Sequence, residues 1–336
     1  MFELLLTMCL PDAPGVCRDV LVPEGPFATL ADCQAAAAGR AGETPTCGPA
    51  GEALDFEEVA DGLFVHRGRI EEPDEANRGD VANIAFVVGA ESVLVVDAGS
   101  ARWIAEATWR AIRARTDLPI GHLVLSHVHP DHVLGAELFV AAGAEVVGHS
   151  NLNRALSDRV ANYVESFAAL IGPQAFLGSE PVGAGRGVED TAEIDLGGRI
   201  VELRAWPAAH TTTDLTVFDR QSGTLIAGDL VFAEHAPALD GSLTGWQAVL
   251  GEMKAIPATG VVPGHGGPLL PWPEGAAPLE RYLETLARDT RAAIAEGARI
   301  GEAAGAVAAS EAGSWALFEA YNPRNATEAF TELEWE

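Results

Sequence analysis

Apolar and polar residues alternate along Ile200-Val-Glu-Leu-Arg-Ala-Trp206, the two-residue period of a half-buried strand. Shorter apolar runs at Ser92 to Val96, Leu123 to Leu125, Thr224 to Gly228 and Val261 to Gly264 each give way within two residues to an aspartate or a histidine. Gly62 to Val65, Ala82 to Val88 and Ala144 to Gly148 complete the predicted strands, with Asn77-Arg-Gly-Asp80 looping between the first two. Helical spacing predicts Arg102 to Arg115, capped by Ser100, then Asn151 to Leu170, Leu243 to Ile256 and Leu279 to Glu296. Residues 1 to about 40 read as short helices punctuated by Pro11, Pro14, Pro23 and Pro26, among them the Ala-rich Leu30 to Ala38. Gly39 to Gly51, rich in Gly, Pro and Thr, reads as a linker, and Gly178 to Gly187 as a flexible loop without the Gly-Lys-Ser/Thr ending of a phosphate site. Two strand-rich halves with helices predict an α/β fold, a four-layer αββα sandwich with its site at one edge between the sheets. The chain divides into a small Cys-containing helical module with its linker, residues 1–50, and a sandwich domain with C-terminal helices, residues 51–336.

The densest chemistry follows the strand Leu123 to Leu125, where His127, His129, Asp131 and His132 lie within six residues. Residues two apart on an extended segment project to one side, so His127 and His129 can share an ion. Pro130 keeps His129 extended and suits the first position of a helix, which turns Asp131 and His132 away from that pair. Two ligand groups on opposite sides of a turn can serve two ions. A loop site of this kind draws its remaining ligands from other strand ends, and His210, Asp229 and His265 each stand at such an exit. A lone histidine is more often a core or surface residue; the joint placement is what points to ligands. His66, His122, His149 and His235 match no ligand position, although His149 could approach from the strand Ala144 to Gly148.

These residues resemble the metallo-β-lactamase superfamily, whose HxHxDH motif, downstream His, bridging Asp and final His correspond in order to His127, His129, Asp131, His132, His210, Asp229 and His265. The resemblance covers roughly residues 55 to 270. It implies a metallo-β-lactamase sandwich with two Zn2+ ions, with iron as the alternative metal. His127, His129 and His210 would hold the first ion and Asp131, His132 and His265 the second, with Asp229 bridging. Asp97 matches the family's first motif and would orient the ligand loop from behind. Two zinc ions about 3.5–4 Å apart would share a hydroxide and polarise a carbonyl, with Asp131 and Asp229 as the catalytic carboxylates. The expected activity is hydrolysis of an ester, thioester or lactone. Asp229 leans against antibiotic hydrolysis, and the alternatives are an iron-dependent sulfur dioxygenase of the same fold or a β-lactamase. Tyr163, Asn151, Asn153 and Arg154 are weaker candidates for substrate contact.

Composition narrows the partners. The net charge of −28, from 21 basic and 49 acidic residues, repels a phosphate backbone and excludes nucleic acid, leaving a small-molecule substrate. No run of about 18 apolar residues is present, so no transmembrane helix is expected. All four cysteines, Cys9, Cys17, Cys33 and Cys47, lie in the N-terminal module, which suggests two disulfides in any of three pairings. Disulfides point to the periplasm, whereas the first ten residues lack the basic start of a signal peptide and point to the cytoplasm.

The start Met1 to Leu10 with Val16-Cys-Arg-Asp19, the loop Asn77 to Asn83 and the close Pro323-Arg-Asn-Ala-Thr-Glu-Ala-Phe330-Thr-Glu-Leu-Glu334 resemble, more narrowly, the SoxH-related quinoprotein relay system zinc metallohydrolases. That resemblance implies a link to quinoprotein oxidation and a redox-protein partner docking through the N-terminal module. Arg324 and Asn325 then either return toward the active-site face or form an ordinary terminal cap.

Overall fold

The computed structural model describes residues 1–40 and 44–336. The N-terminal part contains β1 (Phe2–Leu10), β2 (Ala13–Leu21), α1 (Leu30–Ala38) and β3 (Thr46–Pro49), the strands forming a separate sheet in the order β2-β1-β3. The cysteine module is therefore present, but residues 2–21 are a hairpin where helices were expected. Pro14, expected to punctuate helices, lies on the edge strand β2, where a missing N–H breaks no ladder. In the Gly39 to Gly51 segment, residues 41–43 lie outside the described residues and Thr46–Pro49 is a paired strand rather than linker. Cys9 faces Cys17 directly across the hairpin, and Cys33 on α1 meets Cys47 on β3, which selects one of the three pairings.

Two larger sheets follow. The first runs β10-β9-β8-β7-β6-β5-β4, from β4 (Glu57–Ala60), β5 (Leu63–His66), β6 (Ile84–Val88), β7 (Val93–Val96), β8 (Ile120–Leu125), β9 (Glu145–His149) and β10 (Arg186–Val188). Helices α2 (Arg102–Arg113), α3 (Pro130–Val133), α4 (Ala136–Ala141), α5 (Leu152–Leu170) and α6 (Pro173–Phe176) connect its parallel strands. The second runs β11-β12-β13-β14-β15-β16, from β11 (Thr191–Asp195), β12 (Ile200–Ala205), β13 (Leu215–Asp219), β14 (Thr224–Phe232), β15 (Gly260–His265) and β16 (Leu270–Pro271). Its helices are α7 (Leu243–Met253), α8 (Ala277–Ala295), α9 (Ile300–Ala303) and α10 (Phe318–Leu333).

Side-chain alternation produces the layers. On β7, Val93 and Val95 pack toward Ile104 and Trp109 of α2, while Leu94 and Val96 face the other sheet. The same division on β14 sends Leu225 and Ala227 toward Trp246 of α7 and Leu283 of α8, and Ile226 into the space between sheets. Both faces of each central strand are covered, which is why these strands read as continuous apolar runs. The result is the expected four-layer αββα sandwich.

Ser100 does not cap α2. Ala101 occupies that position without a side-chain bond, and the buried Ser100 hydroxyl donates to the Gly79 carbonyl at 2.6 Å. Gly79 is required there, since a Cβ would lie 2.1 Å from Ser100 Oγ. The N-terminal sheet is tied to α2 by Glu3 with Arg110 and by Arg18 with Glu106, both carboxylates buried. Among the described residues no helix is long and apolar enough to cross a membrane.

Candidate metal centre

His129 closes the extended exit of β8 with φ −63° and ψ 149°, and Pro130 begins α3, so Asp131 and His132 enter the first helical turn as anticipated. His210 lies in the loop between β12 and β13, and His265 is the last residue of β15. Asp229 differs slightly from expectation: it sits inside β14, beyond a register irregularity at Gly228, whose φ is 52°. Gly264 on the neighbouring strand clears the space for it, because a Cβ there would fall 1.9 Å from Asp229 Oδ1.

The seven residues converge as two donor groups, His127, His129, His210 with Asp229, and Asp131, His132 with His265; within each, ligand atoms lie within 4.8 Å of one another. Asp229 reaches both. Its Oδ2 is 3.3 Å from His210 Nε2, 3.6 Å from His127 Nε2 and 3.4 Å from His265 Nε2, and its Oδ1 is 3.3 Å from His132 Nε2. Asp131 Oδ2 lies 3.4 Å from His265 Nε2 and 3.7 Å from His132 Nε2. His129 turns its Nδ1 inward, 3.0 Å from His210 Nε2. Donor atoms about 3.3 Å apart are what a tetrahedral ion at zinc–nitrogen distance requires.

Each inward atom is fixed by a partner on the far side of its ring. His132 Nδ1 pairs with Asp97 at 2.8 Å, His210 Nδ1 with the Ala238 carbonyl at 2.7 Å and His265 Nδ1 with the Val81 carbonyl at 2.9 Å. His127 Nδ1 is 3.0 Å from the Ser126 hydroxyl, which itself donates to Asp97. Asp97 also accepts the Ser126 N–H and adopts a left-handed φ of 66°, a strained backbone held by these contacts. Asp97 thus stands behind His132 and, through Ser126, behind His127.

His127 Nε2, His132 Nε2 and Asp229 Oδ1 are buried polar atoms without a hydrogen-bond partner. Leaving three such atoms unpaired is costly, and an ion in each donor group would satisfy all of them. The donor set of imidazoles and carboxylates fits zinc or iron and is too rich in nitrogen for magnesium or calcium. Burial opposes the Asp229 charge, but His265, His132 and His127 hold its carboxyl well below the usual range. Burial lowers His127 strongly, aided by His132. Burial also opposes the charge on His132, yet Asp229, Asp97 and Asp131 together keep its pKa well above the ordinary value.

Several residues at this site were not evident beforehand. Asp240 bonds His129 Nε2 at 3.1 Å and is itself held by Arg159, so a carboxylate and a guanidinium orient that ring. Asn325, whose return to this face the sequence had raised, braces the same loop: its amide donates to the Pro237 carbonyl at 2.7 Å and accepts the Leu239 N–H at 2.9 Å. His235, dismissed from sequence, lies with its ring 4.7 Å from that of His265, and its Nδ1 is 2.7 Å from the Ala236 carbonyl. Burial, then His265, pushes it down to about 3, so it is neutral. No spacing pattern marks these residues, which reach the site from the loop after β14 and from helices α5 and α10.

His149 stays outside both donor groups, 3.2 Å from the Trp206 carbonyl. Of the weaker contact candidates, Tyr163 lines a cavity beside His129, Asn151 and Arg154 line a separate depression, and Asn153 bonds Ala184. The centre opens into two lobes. One, about 480 Å³, is lined by Asp131, Asp229, His265, His235, Phe167 and Leu170. The other, about 650 Å³, is lined by Arg159, Tyr163 and Asp240, and His129 borders both.

Solved structures of similar fold include a metallo-beta-lactamase from Pontibacter korlensis, 19% identical, covering 69% of this chain and 99% of that one with a TM-score of 0.56. The DIM-1 metallo-beta-lactamase is 18% identical over 69% of this chain and 98% of its own, with a TM-score of 0.54. The inverting sec-alkylsulfatase Pisa1 from Pseudomonas sp. is 14% identical over 83% of this chain and 50% of its own, with a TM-score of 0.63. At such identities the likeness is one of fold. No curated protein matches the chain by sequence. The family model described as Metallo-beta-lactamase superfamily matches residues 77–265, more than half of the 336 residues and inclusive of every donor described above. On that match, the chain belongs to the metallo-β-lactamase superfamily of hydrolases.

Proposed function

We propose that this protein is a dinuclear zinc hydrolase of a small ester, thioester or lactone. The observation that carries the reading is the position of Asp229, within 3.3–3.6 Å of four imidazole nitrogens drawn from both donor groups. His127, His129 and His210 would hold one ion, Asp131, His132 and His265 the other, with Asp229 between. Bound zinc supplies an acidified water and Lewis-acid polarisation of a carbonyl.

The chain's own residues supply position and exclusion of water. Asp97, Ala238, Val81 and Asp240 fix the imidazoles, so the donor atoms need no rearrangement. Asp131 and Asp229 face the same cavity as negative groups. Phe167 and Leu170 give that cavity an apolar wall suited to an acyl chain or a leaving group.

The test is the metal content of protein purified without added metal, with rates on thioesters, lactones, aryl esters, a β-lactam and an alkyl sulfate. About two zinc per chain with turnover of a carbonyl substrate is the expected result. About one iron per chain without hydrolysis would instead favour a sulfur dioxygenase. Two disulfides suit an oxidising compartment, and the same proposal places the protein in the periplasm. The link to quinoprotein oxidation and a redox partner belongs to it as well, supported by the resemblance of residues 1–19, 77–83 and 323–334.

A further inference from the structure

The two lobes meet at a pair of side chains from α10, outside the segment that carries the metal donors. Tyr321 and Arg324 are three residues apart on that helix, hence on one face, and both line both lobes. Neither the Tyr321 hydroxyl nor the Arg324 guanidinium has a hydrogen bond or ion pair among the described residues. Arg159, the other arginine of the cleft, is already committed to Asp240. Glu71, Glu72 and Glu328 line the lobes as well, yet none is paired with Arg324.

An unpaired guanidinium is an unusual feature on a chain with net charge −28, where carboxylates are plentiful. The Tyr321 ring is anchored 5.5 Å from that of His235, which fixes where its hydroxyl is presented. Asn325, next in sequence, locks α10 to the loop that orients His129 and His210, so the helix face is held in register with the donors.

We propose that Arg324, with the Tyr321 hydroxyl, binds a carboxylate on the substrate, so that the preferred substrates are anionic esters or thioesters. The inference rests on the hydrolase reading above and names its substrate class. A guanidinium pairs with a planar carboxylate through two parallel N–H donors, which a lysine cannot reproduce fully. Arg324 is a specificity residue in this scheme, and the metal donors do not depend on it.

The experiment compares a matched pair of thioesters with one leaving group, glutaryl and pentanoyl, on zinc-loaded protein. Wild type should favour the glutaryl member by about tenfold or more in kcat/KM, as expected for a charge-assisted contact. In Arg324→Ala that preference should collapse, through KM for the glutaryl member, with zinc content unchanged; Arg324→Lys should restore part of it. An equal loss on both substrates, or no preference in wild type, would overturn the proposal. If neither thioester is turned over, the hydrolase reading fails separately, and calorimetry with glutarate and pentanoate decides the arginine. Tighter binding of glutarate that is lost in Arg324→Ala would sustain it, and equal binding of the two acids would refute it.

Discussion

Each donor histidine has a partner on its outward nitrogen, and these partners are open to test as directly as the donors. Asp240 is the most informative because it contacts His129 alone among the donors and was invisible in the sequence. Replacing it by Asn keeps the shape and removes the charge. Metal affinity should fall about 10–100-fold, measured by competition with a chromophoric chelator. An unchanged affinity would show that the β8 exit and the contact with His210 suffice to aim the ring. The seven candidate donors were legible in the sequence because a compact local motif or a patterned apolar run marks the segment of each. Asp240 and His235 were not, since a side chain on an irregular loop carries no periodic signal, and Arg159 on α5 has the spacing of any polar residue on a helix.

Among the elements, the segment from β5 to β6 shows how a loop away from the chemistry supports it. The Val81 carbonyl receives His265, while the Asn83 amide donates to the Pro263 and Gly266 carbonyls at 2.8 and 2.6 Å. His66, at the end of β5, locks the loop through Asp80 at 2.7 Å and the Asp55 carbonyl at 2.8 Å. Burial lowers the pKa of His66, but Asp80 and the Asp55 carbonyl outweigh it and leave a net rise above 6.5. The folded chain thus favours the imidazolium: this stabilisation is fully present below 6.5 and disappears as the pH rises through the higher folded value. The gap in melting temperature between wild type and His66→Gln should be wider at about pH 5.5 than at about pH 9. A gap that does not vary with pH would exclude this titration. The hairpin β1-β2 carries the opposite lesson, because its leucine-rich first strand has no helix or strand signal strong enough to decide alone. Pairing with β2 and β3 decides it.

For the molecule as a whole, the small N-terminal sheet has a modest core around Leu4, Val22 and Cys33 and relies on covalent links. The cysteine pairs are separated by 8 and 14 residues, and closing such loops stabilises by about 2.5–3 kcal/mol each in the chain-entropy model. Reductant should lower the melting temperature of this part while any metal content of the sandwich is retained, and thiol titration should rise from none to four. Four thiols in the untreated protein would contradict both bridges. What the sequence determined by itself was the sandwich, its strand exits and the order of the candidate donors, because hydrophobic period and local motif spacing are short-range properties. What only the tertiary structure decided was the cysteine pairing, the N-terminal hairpin, and the meeting of Asp240, His235 and Tyr321 around the donors. Those outcomes depend on contacts between segments far apart in the chain, whose free energy exists only once the layers have packed.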